Sequence, residues 1–306
     1  MRNYYFILCI LFLTACDQPV PEASKVFWVD NPTNAAIDIT IDDQLYTIPA
    51  NSGINADLLA GQHQLTYNNQ SIRFFVKPNE QACVINPTLN NYIFYTEIYR
   101  EIGKAEEANA EYEKLKTAYL HEFVLQTGDT ILVPFRVTND LFIEQYEYYW
   151  HLNVVESYKE HVTIRTDKNY NLTTAPQSKL FRENDFFEYI GRENLPEGFV
   201  FTPSNQKLSD LSPYVFISDN TVCDCQPVNG AIEAYRARFD SLLMTDAANY
   251  RMAFDDFRRV DFLSNLEKEC SPRYNKTIEN NNFDSLMVAI GKRKEELGMK
   301  NAIIIK

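Results

Sequence analysis

The thiols of cysteine are the side chains in this sequence best suited to chemistry, because a thiolate can bind a metal ion, attack a substrate or form a disulfide. The chain has six cysteines, and two of them lie one residue apart, at Cys223 and Cys225. Structural zinc sites usually contain two Cys-x-x-Cys pairs, and dithiol oxidoreductases carry one such pair. A single Cys-x-Cys pair matches neither pattern, so a metal site or a redox-active pair stays an open alternative.

The other catalytic residue types show no recognisable constellation. No two of the four histidines have the His-Glu-x-x-His spacing that binds catalytic zinc. The nine glycines form neither a phosphate-binding loop nor a dinucleotide-binding Gly-x-Gly-x-x-Gly motif, and Gly-x-Ser-x-Gly is absent. Carboxylates are plentiful, which leaves an acid pair of glycosidase type open without identifying its members. The sequence therefore predicts no catalytic residue, no metal ligand set and no cofactor.

The N-terminus carries one positive charge at Arg2, an apolar run over residues 4–13 and then small residues up to Cys16. This run is too short for a membrane-spanning helix, which needs about twenty residues, but it suits a secretory signal. Residues 13–16, Leu-Thr-Ala-Cys, resemble the lipobox of bacterial lipoproteins. In that family the cysteine sulfur carries a diacylglyceryl group and the signal is cut directly before it. The resemblance implies that residues 1–15 are removed and that Cys16 carries the lipid.

The residues after Cys16 suit a membrane-tethered protein. Asp17 resembles the inner-membrane retention signal of enterobacterial lipoproteins, which implies the periplasmic face of the inner membrane in preference to the outer membrane. Residues 17–25 contain two prolines and no apolar periodicity, so we expect residues 16–25 to form a lipidated tether. Each buried CH₂ contributes about 0.8 kcal/mol, and more than one lipid chain makes the anchoring stable.

Four cysteines remain once Cys9 leaves with the signal and Cys16 is lipidated. An even number of cysteines in an oxidising compartment predicts two disulfides and no free thiol. A direct bond between Cys223 and Cys225 would close a small, strained ring, so each is expected to pair elsewhere. All three connectivities stay open for the set Cys83, Cys223, Cys225 and Cys270.

Period-two patterns dominate residues 26–97. Ile37, Ile39 and Ile41 alternate with polar residues, which places the three isoleucines on one face of a strand. Short runs of this kind, separated by turn residues, predict a small antiparallel β-sandwich. Residues 58–65 resemble one strand entry of PEGA-type surface β-modules, which act as scaffolds and adhesive spacers. That resemblance implies binding without chemistry.

The rest of the chain mixes helical and strand patterns. Residues 98–125 show the three- and four-residue spacing of an amphipathic helix. Residues 126–228 combine strand-like and irregular stretches, and the apolar spacing in residues 229–306 predicts a helical C-terminal region. The predicted fold class is therefore α+β, with a small antiparallel β-sandwich, an α+β middle region and a helical C-terminal region.

An aromatic stretch stands out in the middle region. We expect residues 145–155 to form a strand, on which Tyr146, Tyr148 and Trp150 share one face. Tyrosine and tryptophan lose little entropy when they make contacts, so this face suits the binding of a protein, a peptide or a glycan. The alternative is an aromatic core strand with its polar tips at the rim.

Charge and motifs together favour an interaction protein. With 42 acidic and 29 basic residues the formal charge is −13, which disfavours nucleic acid as a partner. We expect a membrane-anchored envelope lipoprotein that acts as a scaffold or protein-interaction module, for instance as an inhibitor or immunity factor. Its acidic surface would suit another envelope protein that is basic, through electrostatic steering. The alternative is an envelope enzyme, or a small-ligand or glycan-binding protein, that uses residues 131–225.

Lipidation at Cys16 can be tested by removing its sulfur. We expect Cys16→Ser to abolish incorporation of a labelled fatty acid, because a serine hydroxyl cannot form the thioether. Metabolic labelling followed by immunoprecipitation measures this against the wild-type chain. Unchanged labelling of the variant would refute the lipobox interpretation.

Overall fold

The computed structural model describes residues 24–77, 81–101, 105–164, 173–196, 199–276 and 282–306. Cys16 and Asp17, on which the predicted anchor depends, lie outside these residues. The fold is mixed α+β, with mainly antiparallel sheets toward the N-terminus, in which β1 and β7 form a parallel pair, and helices toward the C-terminus, which confirms the predicted fold class. No helix in the described ranges is long and apolar enough to cross a membrane.

Strands make up the first part of the described chain. Alternation decides their faces: Ile37, Ile39 and Ile41 are buried, whereas Asp38 between them is exposed, as predicted. The strands are β1 (Ser24–Asn31), β2 (Ile37–Ile41), β3 (Gln44–Ile48), β4 (Ser52–Leu59), β5 (Gly61–Tyr67), β6 (Gln70–Val76), β7 (Cys83–Ile85) and β8 (Tyr92–Arg100).

Helices become more frequent after β8. The middle elements are α1 (Ala105–Ala118), β9 (His121–Val124), β10 (Thr130–Val133), β11 (Phe135–Thr138), β12 (Phe142–Glu144), α2 (Gln145–Tyr148), β13 (Thr174–Arg182) and α3 (Glu183–Ile190). The C-terminal elements are α4 (Gln226–Leu243), α5 (Ala247–Arg259), α6 (Glu267–Cys270), α7 (Phe283–Met299) and β14 (Ala302–Ile305). The helix expected over residues 98–125 is shorter than predicted, because β8 pairs with β13 as far as Arg100 and β9 begins at His121.

The sheets join segments that are far apart in the chain. A four-stranded sheet has the order β12-β7-β1-β4, and a five-stranded sheet has the order β14-β6-β5-β2-β3. Side chains of both sheets, including Phe27, Ile39 and Phe74, form one core between them. The C-terminal strand β14 therefore completes a sheet of the N-terminal sandwich. A three-stranded sheet, β11-β8-β13, packs with α3 around a separate core that is rich in phenylalanine.

One disulfide links two helices of the C-terminal region. Cys225, directly before α4, bonds Cys270 at the end of α6. As expected, Cys225 does not pair with Cys223. The expectation of a second disulfide is wrong, because Cys83 and Cys223 are free and buried. Cys83 lies in the core of the sandwich and Cys223 in the core of the helices, so the two thiols belong to different clusters.

Burial keeps both free thiols protonated. Burial and the neighbouring Glu144 carboxyl raise the pKa of Cys83 well above its usual value, and burial raises the pKa of Cys223. The main chain of Cys223 is also fixed by Asn229, whose side chain accepts from its N–H at 2.8 Å and donates to its carbonyl at 3.0 Å. A reactive cysteine needs a lowered pKa, so these thiols have the character of structural residues.

A buried ion pair joins the sandwich to the three-stranded sheet. Asp30 on β1 is fully buried, and its carboxylate accepts hydrogen bonds from Nε and Nη2 of Arg182 at 2.8 and 2.6 Å. The same carboxylate accepts from the Tyr92 hydroxyl at 2.6 Å and from the Trp28 indole N–H at 2.8 Å. A buried charge is tolerated only when it is paired and hydrogen-bonded, so these contacts fix β1 against β8 and β13.

Removing one side of this pair should be costly. We expect Arg182→Met to lower the free energy of unfolding by about 3–5 kcal/mol, because it leaves the Asp30 carboxylate buried without its partner. Urea denaturation measures this, and the double variant Asp30→Asn/Arg182→Met should lose less than the single variant. Arg293→Met, which breaks the exposed pair with Glu296, is the control and should cost about 0–1 kcal/mol. Equal losses of unfolding free energy for Arg182→Met and Arg293→Met would contradict the stabilising role of the buried Asp30–Arg182 pair.

Candidate functional site

A cleft of about 780 Å³ lies between α2, α5, α7 and the residues that follow β6. Ligand sites in proteins have volumes of roughly 300–1,000 Å³, so this cleft is large enough for a small molecule or a short peptide. Its lining is mainly basic and aromatic, in a chain whose formal charge is −13. The basic residues are Lys77, Arg251, Arg258 and Lys294; the acidic ones are Asp255 and Glu295; the aromatic ones are Tyr146, Tyr149, Tyr250 and Phe254.

Helix α5 forms one wall of the cleft. It begins after Asp246, whose side chain accepts a hydrogen bond from the N–H of Asn249 at 2.9 Å and so caps the helix. Tyr250 is buried against the core of the helices. Arg251 and Arg258 are seven residues apart, which is two helical turns, so they lie on the same face of α5.

Helix α7 forms a second wall. Lys294 Nζ donates a hydrogen bond to the carbonyl of Val260, directly after α5, and lies 4.8 Å from the ring centroid of Tyr235. Burial lowers the pKa of Lys294. The ammonium of Lys294 therefore helps to hold α7 against the end of α5, in addition to lining the cleft.

Lys77 comes directly after β6 and forms the floor of the cleft. Its side chain is buried, with 2% of the residue exposed, and its Nζ donates to the carbonyl of Leu297 in the last turn of α7. The same Nζ lies 4.7 Å from the ring centroid of Phe254 on α5. A cation is favourable at the C-terminal end of a helix, so Lys77 ties β6 to α7.

The pKa of Lys77 lies close to neutral pH. Burial lowers its pKa to about 7, and the nearby cations Lys300 and Arg258 also lower it, whereas the carboxylate of Glu144 acts in the opposite direction. An exposed lysine has a pKa near 10.4. Lys77 is therefore only partly protonated near neutral pH.

Glu144 fixes the turn between α7 and β14. It is fully buried, and its carboxylate accepts hydrogen bonds from the backbone N–H of Asn301 at 2.7 Å and of Ala302 at 3.1 Å, and one from the Asn301 amide. Burial raises the pKa of Glu144 despite these bonds. On the surface, Lys300 Nζ pairs with Glu147 at 2.7 Å, which joins α2 to the same turn.

The strand expected over residues 145–155 is not formed. β12 ends at Glu144, which pairs with Cys83, the first residue of β7. The chain then enters α2, and Tyr149 follows in the left-handed region with a φ of 54°. Within residues 145–155 the described chain makes a single parallel bridge, from Leu152 to Lys179 of β13, which is too short to support a strand.

The three aromatic residues expected on one binding face lie in different environments. Trp150 is 3% exposed and packs in a core cluster with Phe94. Tyr148 is half-buried and stacks on Phe94, with ring centroids 4.4 Å apart. Tyr146 is 47% exposed and lines the cleft, together with Tyr149, which is 69% exposed. A binding role stays a prediction for Tyr146, and Tyr149 is a cleft residue that the sequence pattern did not identify.

The cysteines predicted as site residues do not line the cleft where the structure describes them. The disulfide Cys225–Cys270 and the free thiols of Cys83 and Cys223 are all outside its lining. Among the described residues, no group of three or more His, Cys, Asp or Glu side chains is placed to hold a metal ion. The cleft is therefore the feature of the described chain that most resembles a functional site.

The cleft residues can bind an anionic group without covalent chemistry. The exposed guanidinium groups of Arg251 and Arg258 can each make two parallel hydrogen bonds to a carboxylate or phosphate. The rings of Tyr146 and Tyr149 provide apolar contact area beside them. The seven-residue spacing of the two arginines is visible in the sequence, but it shows a binding surface only once α5 is placed beside α2 and α7.

Comparisons with known proteins give no relative to guide the interpretation. No protein-family model, no curated protein and no solved structure matches the chain. The cleft and the sequence features are therefore what indicate a function.

The buried position of Lys77 predicts a pH-dependent stability. Its pKa is lowered to about 7 in the folded state. Between pH 7 and about 10, Lys77 therefore binds more protons in the unfolded chain than in the folded chain. Rising pH favours the folded chain over this range. Relative to Lys77→Met, we expect the wild type to gain about 1–2 kcal/mol in unfolding free energy between pH 7 and 8.5.

Urea denaturation of both proteins across this pH range measures the effect. Lys292→Met is the control, because Lys292 is an exposed lysine of α7, and its difference from the wild type should not change over the same range. If the difference in unfolding free energy between the wild type and Lys77→Met does not change with pH, Lys77 is not a buried, partly neutral lysine.

Proposed function

We propose that this protein is an exported lipoprotein, anchored to a membrane through Cys16, that acts as a scaffold or interaction module for another envelope protein. Its binding surface is the cleft between α2, α5 and α7. The role is non-covalent, since the cleft offers cations and aromatic rings for contact.

The charge of the cleft is the observation that carries this proposal. Four basic residues and two acidic residues line it, whereas acidic residues outnumber basic ones by 42 to 29 in the whole chain. The exposed cations among them are Arg251 and Arg258, and an anionic ligand would interact favourably with both. The exposed rings of Tyr146 and Tyr149 add the residue type that is enriched in binding hot spots.

The sequence supports export and anchoring, and one disulfide supports export. The residues up to Cys16 have the order of an export signal that ends in a lipobox, and Asp17 favours the periplasmic face of the inner membrane. The disulfide between Cys225 and Cys270 also supports export, because disulfides persist mainly in oxidising compartments. The tether expected over residues 16–25 would end before Ser24, where β1 begins, and would present the folded part to a partner.

A second candidate function is the binding of a small polyhydroxyl ligand such as a glycan. A separate cleft of about 340 Å³ is lined by carboxamides and one carboxylate, which can donate and accept hydrogen bonds to hydroxyl groups. It includes Glu183 and Asn184 from the region in which the sequence placed a possible ligand site. The lining residues with amide or carboxylate side chains are Asn34, Asn90, Asn91, Glu183 and Asn184.

Site-specific photo-crosslinking in the native host tests the interaction. A benzophenone amino acid in place of Tyr149, in the cleft, should give a covalent adduct with an envelope protein. The same amino acid in place of Leu45, which is 64% exposed on β3, is the control and should give none.

The two positions have similar exposure, so they differ mainly in whether they lie at the cleft. Combining the crosslinker at position 149 with Cys16→Ser should weaken the adduct, because the chain would no longer be held beside a membrane partner. An adduct at neither position, or equal adducts at both, would contradict the proposed binding surface.

A further inference from the structure

Two arginines of the cleft have no carboxylate partner in the part of the chain that the structure describes. Arg251 and Arg258 on α5 are exposed and form no ion pair there. Three arginines of the described residues do form ion pairs, Arg182 with Asp30, Arg236 with Glu233 and Arg293 with Glu296. The two guanidinium groups of the cleft are therefore available to a ligand.

The spacing of the two arginines determines the spacing of the ligand charges that they can bind. Seven residues of α-helix separate Arg251 from Arg258, which corresponds to about 10 Å along the axis of α5. In a polyproline-II segment, residues three apart lie on the same side and about 9 Å apart. A peptide with two acidic side chains at that interval matches the two arginines.

The rest of the lining limits how negative the ligand can be. Asp255 lies between the two arginines on α5, and Glu295 lies on α7, so the cleft is only moderately positive. A polyanion such as nucleic acid would bring many phosphates toward these carboxylates and toward a chain of charge −13. A ligand with two carboxylates avoids most of that repulsion.

The aromatic residues favour a ligand that also carries an apolar group. The rings of Tyr146 and Tyr149 are exposed at the cleft, and Phe254 lies within it, 5.9 Å from the guanidinium of Arg258. Rings beside guanidinium groups provide apolar contact next to the charge. An apolar side chain between two acidic ones would use both kinds of contact.

We propose that the cleft binds an extended acidic segment of the partner protein, with two carboxylates three residues apart and an apolar side chain between them. Arg251 and Arg258 each bind one carboxylate, and Tyr146 and Tyr149 contact the apolar side chain. This inference rests on the proposed interaction function and names the chemistry of its partner.

Selection from a random octapeptide display library tests the inference, using the purified full-length lipoprotein in nonionic detergent. Recovered peptides should be enriched in Asp and Glu relative to the input library, with pairs three residues apart above chance. The best peptide should bind the Arg251→Glu/Arg258→Glu variant about tenfold or more weakly, because both charge-assisted contacts are replaced by repulsion.

A matched pair of substitutions controls for net charge. Arg259→Glu/Lys292→Glu changes the charge by the same amount, at exposed residues of α5 and α7 that lie outside the lining of the cleft. This control should bind the peptide within about twofold of the wild type. Circular dichroism and thermal melting of both variants confirm that they are folded.

Three outcomes would overturn the inference: recovered peptides without acidic enrichment, equal loss of binding in the cleft variant and the control variant, or a twenty-nucleotide oligo-dT that binds the cleft as tightly as the best peptide. If one of these occurs while position 149 still crosslinks to an envelope protein, the interaction function stands and the acidic-peptide chemistry fails. Loss of both the selection and the crosslink would remove the interaction function as well.

Discussion

The buried carboxylate of Glu144 holds the C-terminal end of the described chain against the β-sandwich. It accepts hydrogen bonds from the backbone of Asn301 and Ala302, where α7 ends and β14 begins. Lys77 adds a second link by donating to Leu297 in the last turn of α7. Buried ionic groups are costly without their partners, so these contacts fix α7 relative to β6. The cleft follows from that position, since its floor and one wall are the residues so linked.

Local charge and net charge have opposite signs at the cleft. Fields from exposed charges decay over about 8 Å at physiological ionic strength, so a ligand inside the cleft interacts mainly with the cations that line it. The acidic remainder of the surface acts on the approach of the whole partner, and it favours one that is basic overall. The two fields together suit a short acidic segment in a partner that is not itself strongly acidic, which reconciles the charge of the sequence with the charge of the cleft.

Features that depend on a single element could be predicted from the sequence. Features that depend on contacts between elements could not. The alternating isoleucines of β2 gave its buried face, because period two is a property of a single strand. The strand expected over residues 145–155 is not formed, because Tyr149 takes a left-handed backbone and the described pairing there is a single bridge from Leu152 to Lys179 of β13. Arg251 and Arg258 share a helix face that the sequence reveals, but the cleft residues outside α5, such as Tyr149 and Lys294, come from segments more than thirty residues away.

The most direct measurement of the central claim is the reactivity of arginines toward phenylglyoxal in native membranes and in the purified protein. If an anionic segment of a partner occupies the cleft, Arg251 and Arg258 should be modified much more slowly in the membranes than after purification. Arg259, which is exposed at the end of the same helix and outside the cleft, should react equally in both samples. Equal reactivity of all three arginines in the two samples would contradict the account.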